Sequence, residues 1–234
     1  MRQVSNLLYC SEFLYNIRIS SALLNKAYSD YPFLIIDGFF SEDECGGVLE
    51  HIKNTNEFEE AKIKSIVTID AIKPLVDEAI RKSKIYTLTL AQDECFELRF
   101  ESFRAQIETF FNVSLLDASS TQVLSYNKDS FYVSHADDSS EIIDINGNTI
   151  DYKLIAPHRV ITTVLFLNSG DDDFNGGELV FSHLSDIDGT PFCYKPQQGF
   201  MIVFPSNPYF AHEVLKVTSG HRATLVNWHD AIVH

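Results

Sequence analysis

EIIDINGNTIDYKL, residues 141–154, reads as two short strands joined by Asn146–Gly147. Asn-Gly supplies the positive φ values of a tight two-residue turn, and the Ile, Thr and Tyr around it suit extended backbone. Working outward, the chain after residue 118 keeps this habit. TQVLSY (121–126), SFYVSHAD (130–137), RVITTVLFLN (159–168), GELVFSHL (177–184), GFMIVFP (199–205) and RATLVNWH (222–229) are all strand-like. The loops between them, such as SGDDDFNGG (169–177) and PQQGF (196–200), are rich in turn formers.

Upstream the pattern is different. Residues 1–30 give no clear element. YPFLIIDGFF (31–40) reads as a buried strand ending near Gly38. Ser41, with Glu44 three residues on, is a capping-box signature for a helix over 42–53. IDAIKPLVDEAIRKS (69–83) predicts a helix, with Ile72, Leu75, Val76, Ala79 and Ile80 at helical spacing and Pro74 in its first turn. A long helix is expected over 91–112, where Phe96, Phe100, Phe103, Ile107, Phe110 and Phe111 form an aromatic stripe that reads as core. Helices followed by short strands give an α+β class: a jelly-roll core, or double-stranded β-helix, with N-terminal helices packed on it. One domain is expected over 1–234, with a helix-rich support region at 1–118 and the catalytic core at 119–230.

The 234 residues carry 18 basic and 33 acidic side chains, a net charge of −15. Such a surface repels a polyanion, which argues against nucleic acid as a partner. Cys10, Cys45, Cys95 and Cys193 are scattered and form no CxxC pair, so they read as free thiols in a reducing compartment. No signal peptide or apolar span is legible, and a soluble, cytoplasmic protein without a membrane partner is expected. The oligomeric state is not encoded in any readable feature.

SHADDSS (134–140) holds His135 and Asp137, alternate residues that a strand aims to one face. A lone histidine is more often structural or at the surface. Here His212 offers a third ligand from a late strand. Two imidazoles and one carboxylate suit Fe(II), leaving positions open for a chelating co-substrate and dioxygen. Ten residues after His212, Arg222 follows the turn TSG (218–220) and begins the last strand. Its fixed two-pronged guanidinium suits a buried dicarboxylate, and Thr224, Val226 and Trp228 share its strand face. His183 reads as structural, and His158, His221, His229 and His234 as surface residues.

HAD at 135–137, HEV…SGHR at 212–222, GGELVF at 176–181 and QVLSY at 122–126 together resemble the prolyl 4-hydroxylase-like branch of the Fe(II)/2-oxoglutarate dioxygenases. FLIIDGFFSEDEC (33–45) is similar to the opening of such domains. The resemblance implies that His135, Asp137 and His212 bind iron. It implies that Arg222 holds the distal carboxylate of 2-oxoglutarate, with Tyr126 and Thr162 in the same pocket, and that Tyr132 acts near the substrate. Three features depart from the pattern: Phe166 stands where the hydroxylases often have a tyrosine, His221 occupies the place where some relatives carry the arginine, and Tyr132 has the opposite strand parity from His135 unless a bulge re-aims it.

The implied activity is hydroxylation of an unactivated C–H with release of succinate and CO2, with Fe(II), 2-oxoglutarate and O2 required and ascorbate as an accessory reductant. Asp137 marks a hydroxylase, since halogenating relatives carry a small residue there. Proline in a peptide or protein is the implied substrate, and a free amino acid or other small molecule is the alternative. The 141–154 hairpin is expected at the mouth of the barrel. A non-catalytic jelly-roll binding module is the competing class, although the HxH cluster of cupins is absent. A nucleic-acid demethylase would carry a further arginine after Arg222, and there is none.

Overall fold

Every residue of the strand Ile161–Phe166 is buried, and its two faces enter different cores. Ile161 and Leu165 join a cluster with residues of both helices, while Val164 and Phe166 join a second cluster between two sheets. A strand covered on both sides needs a near-continuous apolar run, which is what VITTVLFL provides. The computed structural model describes residues 32–61, 63–68, 71–75, 81–143, 149–185 and 189–234.

The larger sheet runs in the order Leu34–Ile36, Met201–Pro205, Ile161–Phe166, Ser219–Val233, Gln122–Asn127, Lys84–Thr87 and Glu59–Glu60. The smaller sheet is ordered Pro191–Tyr194, Leu179–Ser185, His212–Val214, Phe131–His135 and Arg81–Lys82. Pairing within both is antiparallel. Phe181, Phe192 and Tyr194 of the smaller sheet pack with Phe166, Ile202 and Phe204 of the larger one.

The two described helices are capped as their sequences dictate. Ser41 Oγ accepts from the Glu44 amide, and Glu44 Oε2 accepts from the Ser41 amide at 2.7 Å, starting Glu42–Asn54. Thr89 and Gln92 form the same reciprocal box before Leu90–Phe111. The second helix ends at Asn112, in left-handed conformation with φ 55°. Its stripe of Phe96, Phe100, Ile107, Phe110 and Phe111 is buried in the same cluster as Met201, Val203 and Leu225. Each such side chain contributes roughly 1.5–3 kcal/mol by leaving water.

Two expectations are corrected. The helix predicted over 69–83 is absent among the described residues: Ala71–Leu75 is a strand paired with Ile63–Thr68, and Arg81–Lys82 is an edge strand of the smaller sheet. The run SIVTID before it is β-branched, and Pro74 removes an amide that a helix interior needs but a two-stranded edge does not. His229, expected at the surface, is 2% exposed. Its strand face would meet solvent in a bare sheet, but Phe100 of the long helix covers it, with ring centroids 4.3 Å apart. Residues 144–148, which include the Asn146–Gly147 turn, lie outside the described residues, as do 1–31, but Ser139–Ile143 and Thr149–Leu154 pair as an antiparallel hairpin.

Candidate active site

The smaller sheet sets two histidines side by side. His212 pairs with His135, whereas Val214 pairs with Tyr132, so two steps on one strand oppose three on the other. This bulge re-aims the strand. Tyr132 and His135 therefore come to the same side despite their odd spacing, with rings stacked 3.5 Å apart. After His135 the chain leaves the sheet, and the Asp137 and Asp138 amides both donate to Ser206 O at 3.1 Å. That brings the Asp137 carboxylate to the histidine pair.

One ligand atom from each of His135, Asp137 and His212 lies within 4.8 Å of the others. His135 Nε2 stands 4.0 Å from Asp137 Oδ1, and His212 Nε2 stands 3.9 Å from Asp137 Oδ2. Both imidazoles are oriented from behind. His135 Nδ1 donates to Val133 O and His212 Nδ1 donates to Phe210 O, each at 2.9 Å, which leaves the Nε2 lone pairs facing the carboxylate. Burial first, and then His212, push the His135 pKa down to about 3, so its ring is neutral and able to bind a cation. For Asp137 burial acts upward, but His212, His135, the Thr162 hydroxyl and Arg159 outweigh it and hold the carboxyl below its ordinary range.

Thr162 sits at this triad and not beside the guanidinium of Arg222. Its hydroxyl donates to Asp137 Oδ2 at 2.8 Å and accepts from Ser206 Oγ at 2.8 Å. Tyr126 does accompany Arg222. The two pair across neighbouring strands, and the Arg222 guanidinium carbon lies 4.9 Å from the Tyr126 ring centre and 5.5 Å from that of Phe166. Arg222 is 1% exposed, and burial lowers its pKa to about 10. Its Nε, Thr224 Oγ1 and Trp228 Nε1 are buried without hydrogen-bond partners. His221 turns the other way and pairs with Ser125 Oγ at 2.8 Å.

The triad, Tyr126, Tyr132, Thr162 and Arg222 all line one cavity of about 530 Å³. Ser139, Ser140 and Glu141 of the hairpin line it too. Two further lining residues, Arg81 and Arg159, were not legible as site residues. Arg81 lay in a stretch that reads as helix. Arg159 opens an apolar strand, where a single arginine has an ordinary reading as a strand-end charge.

Residues 121–230 match the family model described as the 2OG-Fe(II) oxygenase superfamily. A PKHD-type hydroxylase of Prochlorococcus marinus is 33% identical over 88 residues, which are 37% of this chain and 37% of the relative, so the match spans little more than a third of that protein. A prolyl-4-hydroxylase of Pseudomonas putida has a similar structure, with TM-score 0.61 and 20% identity over 90% of this chain and 97% of that one. A prolyl hydroxylase of Trichoplax adhaerens, solved with a hypoxia inducible factor peptide fragment, gives TM-score 0.66 and 15% identity over 97% and 96%. At these identities the structural likeness is one of fold, the double-stranded β-helix. The match at 121–230 is to the 2OG-Fe(II) oxygenase superfamily model and spans a little under half of the chain, and the fold is like that of the prolyl 4-hydroxylases.

Proposed function

We propose that this chain is an Fe(II)- and 2-oxoglutarate-dependent hydroxylase, acting as one domain over 1–234, with proline in a peptide or protein as substrate. The observation that carries this reading is one cavity with a His135–Asp137–His212 triad and a buried arginine, Arg222, that has no carboxylate oxygen within 4.0 Å among the described residues. Two imidazole nitrogens and one carboxylate suit Fe(II) and leave coordination positions open. Arg222, with an unpartnered Nε and the Thr224 hydroxyl nearby on the same strand face, suits the far carboxylate of 2-oxoglutarate.

Bound iron and 2-oxoglutarate supply the O2 activation that places one oxygen in a C–H bond and releases succinate and CO2. The chain's own residues prepare the site. Val133 O and Phe210 O fix the imidazole tautomers. Thr162 holds Asp137 Oδ2 and so orients the carboxylate. Tyr126 and Phe166 flank the Arg222 guanidinium and exclude water from it. Tyr132 supports His135 and borders the substrate space. Ascorbate serves as an accessory reductant in this reading. A peptide substrate is supported by the Trichoplax relative, which was solved with a peptide fragment.

The test is succinate release from 2-oxoglutarate by the iron-loaded protein, with proline-containing peptides screened for the mass of one added oxygen. Succinate release coupled to a peptide mass gain supports the reading. No succinate from a folded, iron-loaded protein would contradict it.

A further inference from the structure

The stack on His135 does not end at Tyr132. His135 covers one face of the tyrosine ring, with centroids 3.5 Å apart, and the Arg81 guanidinium carbon lies over the same ring at 4.6 Å from its centre. Two groups at contact distance cannot share one face of a ring, so the order is guanidinium, phenol ring, imidazole. A single ring separates a positive charge from a residue of the triad.

Local structure builds this column. Arg81 stands opposite Tyr132 in the strand register, and His135 stands opposite His212. Arg81 Nε donates to Ser83 Oγ at 2.8 Å, and the two residues are 8% and 4% exposed. Among the described residues no carboxylate oxygen lies within 4.0 Å of the Arg81 guanidinium. A guanidinium is costly to bury, and a methionine would cover the Tyr132 face equally well. Packing alone therefore does not call for the charge. Arg81 also lies before the segment 121–230 that matches the family model, so that match does not cover it.

We propose that Arg81 is a positioning residue of the metal centre: it clamps Tyr132 on His135 and sets a fixed positive charge behind that ligand, which favours Fe(II) over Fe(III). This rests on the hydroxylase reading above. A cation repels a 3+ ion more than a 2+ ion at the same distance, and a buried site screens that repulsion weakly. Transfer of one electron from Fe(II) to an oxidant such as dioxygen, which leaves Fe(III), becomes less favourable. The cation–π contact and the Ser83 bond fix the distance over which the charge acts. The clamp and the charge differ in their effects on the metal. The clamp supports both oxidation states alike, whereas the charge weakens Fe(III) more than Fe(II).

The experiment is an anaerobic potentiometric titration of the iron-loaded protein with redox mediators, with Fe(II) affinity measured alongside. The midpoint potential gives the ratio of Fe(II) to Fe(III) affinity. Arg81→Met should lower this ratio about five- to fifteenfold, the effect of one unit charge a ring away from the ligand. Arg81→Lys keeps the charge and should stay within about twofold of the wild type. Ser83→Ala deletes one hydroxyl and little bulk, and should lower the ratio about twofold by freeing the guanidinium. An unchanged ratio in Arg81→Met, or an equal fall in Arg81→Met and Arg81→Lys, overturns the proposal and leaves Arg81 a packing role. If Arg81→Met does not fold, Ser83→Ala decides, and an unchanged ratio there overturns the proposal. Fe(II) binding by the wild type separates the two readings: if it occurs and the variants keep the wild-type ratio, only the role of Arg81 fails; if it is absent, the hydroxylase reading fails.

Discussion

Tyr132 lies nearly parallel to His135, with ring centroids 3.5 Å apart and planes 18° from each other. Three residues along a regular strand would face opposite ways, so the stack exists because of the bulge opposite His212 and Val214. Tyr132→Leu should weaken Mn(II) binding by about 2- to 10-fold, the value of one aromatic contact. Tyr132→Phe should leave it nearly unchanged. Equal loss in both variants, measured by metal titration, would assign the effect to the phenol instead of the ring.

Thr162→Val keeps the shape of the side chain and removes its hydrogen bond to Asp137 Oδ2. The Asp137 carboxyl is held below its ordinary range partly by that bond, so its pKa should rise in the variant. Protons then compete with metal at higher pH. Metal affinity should fall about tenfold near neutral pH, and the acidic limb of binding should move upward. An unchanged limb would show that Thr162 only packs.

Gly177 has φ +70°, and a Cβ there would stand 2.9 Å from Arg222 Cδ and 3.1 Å from Val217 Cγ2. Gly177→Ala should therefore displace the arginine and weaken 2-oxoglutarate binding about tenfold, with metal affinity little changed. Gly189, at φ +85° with nothing within 4 Å of its Cβ position, is the control. Gly189→Ala carries similar backbone strain, about 1–2 kcal/mol, and should leave 2-oxoglutarate affinity alone.

His229 is buried with both ring nitrogens lacking hydrogen-bond partners. Burial first, and then the charge of Arg104, push its pKa down to about 4, against Glu101. The unfolded chain has its histidine pKa near 6.5, so it binds more protons than the folded protein between those values. This residue's effect therefore lowers stability as pH falls from about 6.5 toward 4. His229→Phe should stabilise the protein by about 1–3 kcal/mol at pH 5 and flatten the pH dependence of the melting temperature. Parallel curves for wild type and variant would refute this.

Much of this was legible from local chemistry. The long helix announced itself by its phenylalanine stripe, and the preference for Arg222 over His221 follows from chemistry, since a neutral imidazole is a poor clamp for a carboxylate; Arg222, Thr224, Val226 and Trp228 all line the cavity. What was not legible depended on distant partners. The 63–75 hairpin needs a pairing that periodicity in one segment does not reveal. The burial of His229 depends on a helix more than a hundred residues earlier in the chain. Thr162 was expected in the co-substrate pocket, whose cavity it lines, and its bond to Asp137 depends on the convergence of Ile161–Phe166 with the loop after His135. The bulge at Tyr132 is set by cross-strand register, which a single sequence does not display.

The measurement that tests the central claim most directly is an anaerobic titration of the metal-free protein with Fe(II) and 2-oxoglutarate, followed by their visible charge-transfer band. The band should appear in the wild type, vanish in His212→Ala and weaken in Arg222→Ala. A folded wild-type protein that gives no band would contradict the assignment of His135, Asp137 and His212 as an iron site.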